Sequence, residues 1–311
     1  MFTRQTVSAG GKKITRAASE LAKAIDFFTD PNNYRNEQKL TRKFFNFKVY
    51  KDKELMAELE KIFGNKCAYC ESSFAHVTPK DIEHYRPKSA VDVKGSPSRT
   101  PGYFWLASDW TNLLVSCPDC NRSREHEVPG QTAKVLLGKQ AQFPLSDEAK
   151  RVRRHKGDVK TEEPARLLLD PCADDPDEFL TFDDRGLIHP RVDAAGKAKE
   201  KGKVSIDVCA LQRKGLVEAR LRVINDVIFQ FEQLLIAAVE LGTLKAEGAA
   251  DARIEGKRDQ LRRIRLHLAT RTAADAPFLG MVRGYIRRTK AAGGFDDLIR
   301  AGIDPENLLT V

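Results

Sequence analysis

The sequence predicts an α+β protein that is predominantly helical and carries a small metal-stapled unit. Two observations lead to this prediction. Apolar residues recur at helical spacing near both ends of the chain, and two Cys-x-x-Cys pairs lie between those helical regions. With 311 residues, of which 41% are hydrophobic, the chain is long enough for two globular domains.

The N-terminal segment, residues 1–66, is predicted to be a helical lead-in. Apolar side chains recur at steps of four and three along residues 14–28, which indicates an amphipathic helix. These positions are Ile14, Ala18, Leu21, Ile25 and Phe28. A second helix is predicted over residues 53–63, shortly before the first cysteine pair.

Three further segments follow from changes in composition along the chain. Residues 67–145 form the core that holds the cysteine pairs, and residues 146–205 form a mixed connecting region. Within the connecting region, residues 167–169 (Leu-Leu-Leu) predict a short buried strand. Residues 206–311 are predicted to be a helical region.

The helical region is predicted to begin with a long helix that has a narrow apolar seam. From Val217 the apolar positions keep a four-three step for three heptads, which is typical of packing against another helix. These positions are Leu221, Ile224, Ile228, Phe231, Leu235 and Ala238. Packing within the chain is the simpler interpretation, and packing on a partner stays open. Further helices are expected over residues 253–269 and 277–290.

Charge and hydropathy bound the function classes. The chain has 53 Lys and Arg against 44 Asp and Glu, a formal charge of +9, which favours an anionic partner such as nucleic acid. No apolar run reaches the roughly 18 to 20 residues that a membrane span needs. The apolar core of a secretory signal is also missing. We therefore expect a soluble, cytoplasmic protein.

The cysteines predict a structural zinc site. Two Cys-x-x-Cys pairs are separated by 46 residues, and each pair can present two thiolates to one tetrahedral ion. The four residues are Cys67, Cys70, Cys117 and Cys120. In a reducing compartment clustered thiols are more often metal ligands than disulfides. Unliganded cysteines or a redox dithiol are less favoured, because redox motifs seldom occur twice with a site-like segment between them. Cys172 and Cys209 are expected to be packing residues.

Between the two pairs lie polar residues in a distinctive order. They are Glu83, His84, Asn112 and Asn121, the last of these directly after the final cysteine. This ordered set resembles the signature of the HNH nucleases, also called the ββα-metal or His-Me finger family. The resemblance implies a small ββα-metal core that hydrolyses phosphodiester bonds in nucleic acid.

The residue types suit that chemistry. Neutral His84 can deprotonate a water near pH 7, and Asn112 would hold the imidazole by a hydrogen bond. Glu83 and Asn121 supply hard oxygen ligands, which suit Mg²⁺ or Mn²⁺. Adjacent strand residues point to opposite sides, so Glu83 and His84 cannot both face one metal from a regular strand. If Asn121 opens a helix, Glu125 lies on the same face and is a reserve ligand.

Four cations near these residues are candidate phosphate contacts. They are Arg86, Lys88, Arg122 and Arg124. For each residue taken singly, a solvated surface cation is an equally good interpretation.

A second resemblance extends beyond the nuclease signature. Blocks similar to the HNH subunit of Septu anti-phage defence systems run from about residue 60 to 225. They include residues 63–71, 82–89, 103–107, 167–171 and 211–213. In that family the nuclease works with an ABC-type ATPase, and some retron systems use the same pair. The resemblance therefore implies an ATPase partner that docks on the C-terminal helices.

Two hypotheses from different classes stay open. The first is a metal-dependent endonuclease, with DNA favoured over RNA or tRNA because the family is largely DNA-directed. The second is a zinc-stabilised nucleic-acid-binding adaptor that has lost cleavage, and a purely structural zinc protein ranks third. The complete polar set favours the endonuclease, because a degenerate module would be expected to lose at least His84.

Overall fold

The computed structural model describes residues 11–36, 39–40, 45–74, 76–93 and 95–309. The chain forms two compact units. The first comprises Met1–Phe179 and Pro190–Arg213, and the second comprises Leu180–His189 and Lys214–Val311. In the described part of the chain helices predominate and every sheet has two strands, which confirms the α+β prediction.

The first unit contains four helices and three small strand pairs among its described residues. The helices are α1 (Gly11–Thr29), α2 (Lys53–Phe63), α3 (Pro118–Asn121) and α4 (Glu200–Val208). The strands are β1 (Tyr34–Asn36), β2 (Lys39–Leu40), β3 (Asp81–His84), β4 (Leu113–Ser116), β5 (Arg124–His126) and β6 (Val135–Leu137). Strand β1 pairs with β2, β3 with β4 and β5 with β6, each pair being antiparallel.

The two predicted lead-in helices are confirmed, although the side chain of Ile14 lies outside the described residues. Helix α2 has local start and stop signals: the Asp52 side chain accepts the Glu54 amide, and Gly64 ends the helix in the left-handed region with φ of 57°. Leu59 and Phe63 bury its apolar face. The helix therefore delivers the chain to the first cysteine pair in a fixed place.

Helix α1 packs against residues 104–108. The Phe28 and Phe104 rings stack with centroids 4.6 Å apart, in a cluster that also buries Ala107. On the polar side, Glu20 accepts the Ser108 hydroxyl at 2.8 Å and the Lys48 amide at 2.6 Å. These contacts fix the position of the Ala107 carbonyl, which reaches the candidate site.

Strands β3 and β4 form the hairpin that carries the candidate site. Their register pairs Glu83 with Leu114 and His84 with Leu113, and α3 follows β4 almost directly. All four residues of β4 are buried, which anchors the hairpin in the unit. The order is thus strand, strand and one short helical turn.

The second unit is built on helices that share one core. They are α5 (Lys214–Ala246), α6 (Asp251–Thr272), α7 (Leu279–Ala291) and α8 (Asp296–Arg300), beside the short strands β7 (Leu180–Phe182) and β8 (Ile188–Pro190). The seam of α5 packs inside the unit, with Phe231 against Leu268 and Ile286 in one cluster. The expected within-chain packing is confirmed. The predicted positions Ile224 and Phe231 are buried, but Val227 and Leu234 are buried in place of Ile228 and Leu235, so the seam alternates in the order three-four.

One expectation about the connecting region is wrong. Residues 167–169 do not form a strand: only Arg166 makes an isolated bridge, although Leu168 is fully buried.

One described helix, Lys214–Ala246, is long and apolar enough to cross a membrane by length and composition. Because the core helix of a soluble protein passes the same test, and this helix contributes its seam to a core, we assign no span to it.

Candidate functional site

The four predicted cysteines converge in one buried cluster. Their Sγ atoms all lie within 4.8 Å of one another, and the Cys70 and Cys117 sulfurs are 3.8 Å apart. A zinc ion with bonds of about 2.3 Å would set tetrahedral sulfur separations of about 3.8 Å. The donor set and its spacing therefore fit one tetrahedral metal ion. Cys209, as expected, is a buried packing residue, and burial raises the pKa of its thiol.

Backbone contacts bring the two cysteine turns together. The Ala68 amide donates to the Val115 carbonyl of β4 at 2.8 Å, which ties the first turn to the hairpin. The second turn starts α3, with Pro118 at its first position and the Cys120 amide donating to the Cys117 carbonyl. The metal site and the hairpin are therefore one structural unit.

A buried arginine touches three of the four sulfurs. The Arg213 guanidinium lies 3.5 Å from Cys120 Sγ, 3.6 Å from Cys70 Sγ and 3.7 Å from Cys117 Sγ. The side chain is only 10% exposed. Residues 211–213 belong to a block that the sequence marked by resemblance, but no spacing rule links an arginine 93 residues away to Cys120.

His84 is held with one ring nitrogen fixed and the other turned to a cation. Its Nε2 lies 2.9 Å from the Ala107 carbonyl oxygen, so Nε2 carries the hydrogen and Nδ1 keeps its lone pair. Lys88 Nζ is 3.3 Å from Nδ1, and the Tyr50 ring meets the imidazole edge-on at 4.7 Å. Burial, reinforced by the Lys88 ammonium, lowers the pKa of His84 to about 3, which keeps the imidazole neutral at pH 7.

Asn112 does not bind the imidazole, so that expectation is wrong. Its Oδ1 accepts the Arg86 amide at 2.7 Å, and its Nδ2 donates to the Arg86 carbonyl at 3.0 Å and the Leu106 carbonyl at 3.2 Å. The side chain thus joins the segment after His84 to the residue before Ala107. Asn112 therefore holds the backbone after His84 against the segment that carries the Ala107 carbonyl.

Glu83 faces away from His84, as strand alternation predicts. Its Oε1 accepts Lys139 Nζ at 2.5 Å, and the same ammonium donates to the His84 carbonyl at 3.0 Å. Lys139 has no exposed surface. Burial raises the pKa of Glu83, and the Lys139 ammonium partly offsets that rise. Lys139 stands in no motif, and the sequence offers no signal that brings it to Glu83.

Lys139 is placed by the chain that follows β6. Its amide donates to the Cys120 carbonyl at 2.9 Å, so this chain crosses α3. The preceding Gly138 has φ of +126°, and a Cβ there would lie 2.0 Å from the Arg122 carbonyl oxygen. Only glycine fits that crossing.

Asn121 meets a carboxylate that was not predicted. Its Nδ2 donates to Asp81 Oδ2 at 3.0 Å, and Arg122 grips the same carboxylate with two hydrogen bonds of 3.0 and 2.8 Å. Asp81 precedes Glu83 by two residues, so strand alternation places both carboxylates on the same face of β3. This spacing could have indicated Asp81 as a site residue.

An open pocket of about 570 Å³ adjoins these groups. It is lined by Tyr50, Lys51, Lys53, Met56, Lys80, Asp81, Ile82, Asn121 and Arg122. Tyr50 connects it to His84. Its ionisable lining is four cations and one carboxylate beside a tyrosine, so the pocket is suited to an anion.

Two of the other predicted residues are placed differently from expectation. Arg86 is 8% exposed and binds Glu162 at 3.1 Å and Glu163 at 2.7 Å, so it is engaged inside the unit and is not free for phosphate. Helix α3 ends at Asn121, and Glu125 is an exposed residue of β5. The expectation that Asn121 opens a helix is wrong, because the chain turns into the β5–β6 pair instead. Arg124 stays at the surface, paired with Asp119 at 3.0 Å.

Comparison with known proteins finds two Septu proteins. The chain is 40% identical over 202 residues to Septu protein PtuB of Bacillus mycoides (strain KBAB4), which covers 65% of this chain and 60% of that protein. It is 26% identical over 181 residues to Septu protein PtuA of the same strain, covering 56% of this chain and 22% of that protein. The chain thus spans about three fifths of the first relative and under a quarter of the second. No protein-family model matches it.

Proposed function

We propose that this protein is a metal-dependent HNH endonuclease that hydrolyses phosphodiester bonds. We further propose that it is the effector subunit of a Septu-type anti-phage complex that contains an ABC-type ATPase. The similarity to two Septu proteins supports the second proposal. The observation that carries the first is the fixed tautomer of His84, with a neutral Nδ1 beside a basic pocket.

The proposed role of His84 is general base. Nδ1 removes a proton from water, the water oxygen forms a bond to phosphorus, and the ester oxygen leaves. The Ala107 carbonyl, which accepts from Nε2–H at 2.9 Å, orients the ring and stabilises the imidazolium that forms. Lys88 lies where the water must approach, so its ammonium has to move toward the incoming phosphate. Burial lowers the pKa of Lys88 to about 8, so the side chain is mostly protonated at pH 7.

Asp81 and Asn121 supply oxygen atoms that fit Mg²⁺ or Mn²⁺, which commonly use one or two carboxylates plus water and phosphate oxygens. When bound, such an ion would neutralise charge on the phosphate. By strand alternation Asp81 lies on the same face of β3 as Glu83, so we assign Asp81, with Asn121, to an ion that would neutralise the phosphate and not to one that contacts His84. Arg122 holds Asp81 in place, and Glu83 serves the buried pair with Lys139.

Substrate contacts are proposed on the pocket rim. Lys51 and Lys53 line the pocket and are exposed, and they replace the buried Arg86 as candidate phosphate contacts. Lys88 and Arg124 complete the set. Replacing both pocket lysines by alanine should lower the slope of log K against log salt by about 1.8 for duplex DNA, because each phosphate contact contributes about 0.9. An unchanged slope would show that nucleic acid contacts other parts of the protein.

Cleavage assays test the proposed activity. Purified protein, with and without its ATPase partner, is incubated with plasmid DNA or total tRNA in Mg²⁺, Mn²⁺ or EDTA. Metal-dependent cutting that needs Asn121 and Asp81 would support the nuclease and identify its substrate. Nucleic-acid binding without cutting under every condition would instead identify a zinc-stabilised adaptor.

A further inference from the structure

The four sulfurs of the cysteine cluster create a charge that the interior must compensate. With zinc bound, four thiolates and one divalent cation leave two negative charges in a site whose cysteines are all buried. Unpaired charge in a protein interior is costly unless a counter-charge or hydrogen bonds accompany it. The residue that meets this need in the described structure is Arg213.

Arg213 is placed to donate to the sulfurs from one side. Its two Nη atoms lie 3.5 to 3.7 Å from three of them. The fourth sulfur, that of Cys67, lies 3.8 Å from the Ser116 hydroxyl instead. On its outer side the guanidinium approaches Asp119, with Nε 3.8 Å from a carboxylate oxygen. The planar fork of arginine can reach several acceptors at once, which a lysine ammonium does less well.

The backbone holds Arg213 in this position. Its amide donates to the Ala210 carbonyl at 3.2 Å, and one Nη donates to the same carbonyl at 3.0 Å. Ala210 has φ of 51°, so the chain after α4 turns tightly just before the arginine. Helix α5 begins at the next residue, Lys214.

We infer that Arg213 is a positioning residue of the metal centre, which holds the metal by neutralising part of the thiolate charge and donating hydrogen bonds to three sulfurs. The inference rests on zinc occupying the four-cysteine cluster and does not depend on the proposed nuclease activity. Outer-shell partners of metal ligands typically change metal affinity by about 10 to 100-fold when they are removed. Arg213→Met should therefore weaken zinc binding by about that factor.

The test measures metal binding on the full chain. Zinc affinity is determined by competition with a chromogenic chelator for the wild type, Arg213→Met, Arg213→Lys and the control Arg258→Met, whose exposed guanidinium bonds Glu255. Arg213→Lys should be intermediate, because it keeps the charge and loses the fork. Arg258→Met should match the wild type. Circular dichroism confirms folding, and if Arg213→Met does not fold, Arg213→Lys carries the test.

A spectroscopic signature separates this role from simple packing. With Co²⁺ in the site, hydrogen bonds and a positive charge lower the energy of the sulfur lone pairs, so their loss should shift the sulfur-to-cobalt charge-transfer band to longer wavelength. Folded Arg213→Met with wild-type zinc affinity and an unmoved band would overturn the inference. A wild-type protein that binds neither metal would overturn the zinc assignment beneath it, whether or not the protein cuts nucleic acid.

Discussion

The buried pair of Lys139 and Glu83 predicts a large, pH-dependent loss of stability in Lys139→Met. The Lys139 side chain is 0% exposed and that of Glu83 is 6% exposed, so solvent does not screen their contact of 2.5 Å. Removing one partner of a buried pair leaves the other charge uncompensated, at a cost of about 3 to 5 kcal/mol. For a unit of about 200 residues, each kcal/mol corresponds to roughly 2 to 4 °C in Tm.

The pH dependence has a definite sign. Burial already raises the pKa of Glu83, and Lys139 opposes that rise, so removing Lys139 raises it further. A raised carboxyl pKa contributes stability below the unfolded value, and that contribution is lost as pH rises through the folded value. The deficit of the variant should therefore be largest near pH 8 and shrink toward pH 5.

Both tryptophans, Trp105 and Trp110, lie in the first unit, so their fluorescence during urea unfolding reports on it. The exposed Lys134→Met is the matched control. The double variant Glu83→Leu with Lys139→Met should recover most of the lost stability, since an apolar pair can replace a buried ion pair. A deficit below about 1 kcal/mol, equal at both pH values, would refute this account of the pair.

Three further substitutions test other parts of the site. Asn112→Ala leaves three backbone groups without their partner and should lower the free energy of unfolding in urea by about 3 kcal/mol. An unchanged free energy of unfolding would show that these hydrogen bonds do not hold the two segments together. Because the pKa of His84 is lowered to about 3, the free energy of unfolding of the wild type should decrease as the pH falls below 6.5. At pH 5 this decrease should be about 2 kcal/mol smaller in His84→Asn, which has no imidazole to protonate. Gly138→Ala should lower Tm by several degrees, since its Cβ would meet a backbone oxygen, and an unchanged Tm would show that the crossing can relax.

Local sequence patterns predicted the helices and the cysteine cluster correctly. Helix α2 has its cap, its apolar face and its terminating glycine within one short segment, and each cysteine pair lies within four residues. Such features can be recognised from residues that are close together in the sequence.

The contacts that define the histidine could not be predicted in the same way. Ala107 offers a backbone carbonyl, which carries no residue type, and Lys139 reaches Glu83 across 56 positions. Arg86 lies in a basic motif, yet it forms an ion pair with Glu162, a buried acid that is distant in the sequence. The expected role of Asn112 failed for the same reason, because its amide satisfies backbone groups that come together only in the fold.

We propose that His84 is the base of a phosphodiester hydrolase. The most direct measurement is the single-turnover rate of nucleic-acid cleavage by wild type and His84→Ala at saturating Mg²⁺, with the proposed ATPase partner present and zinc content checked. Loss of a general base should slow cleavage by about 10² to 10⁴-fold while substrate binding persists. Cleavage by His84→Ala at the wild-type rate would contradict the account.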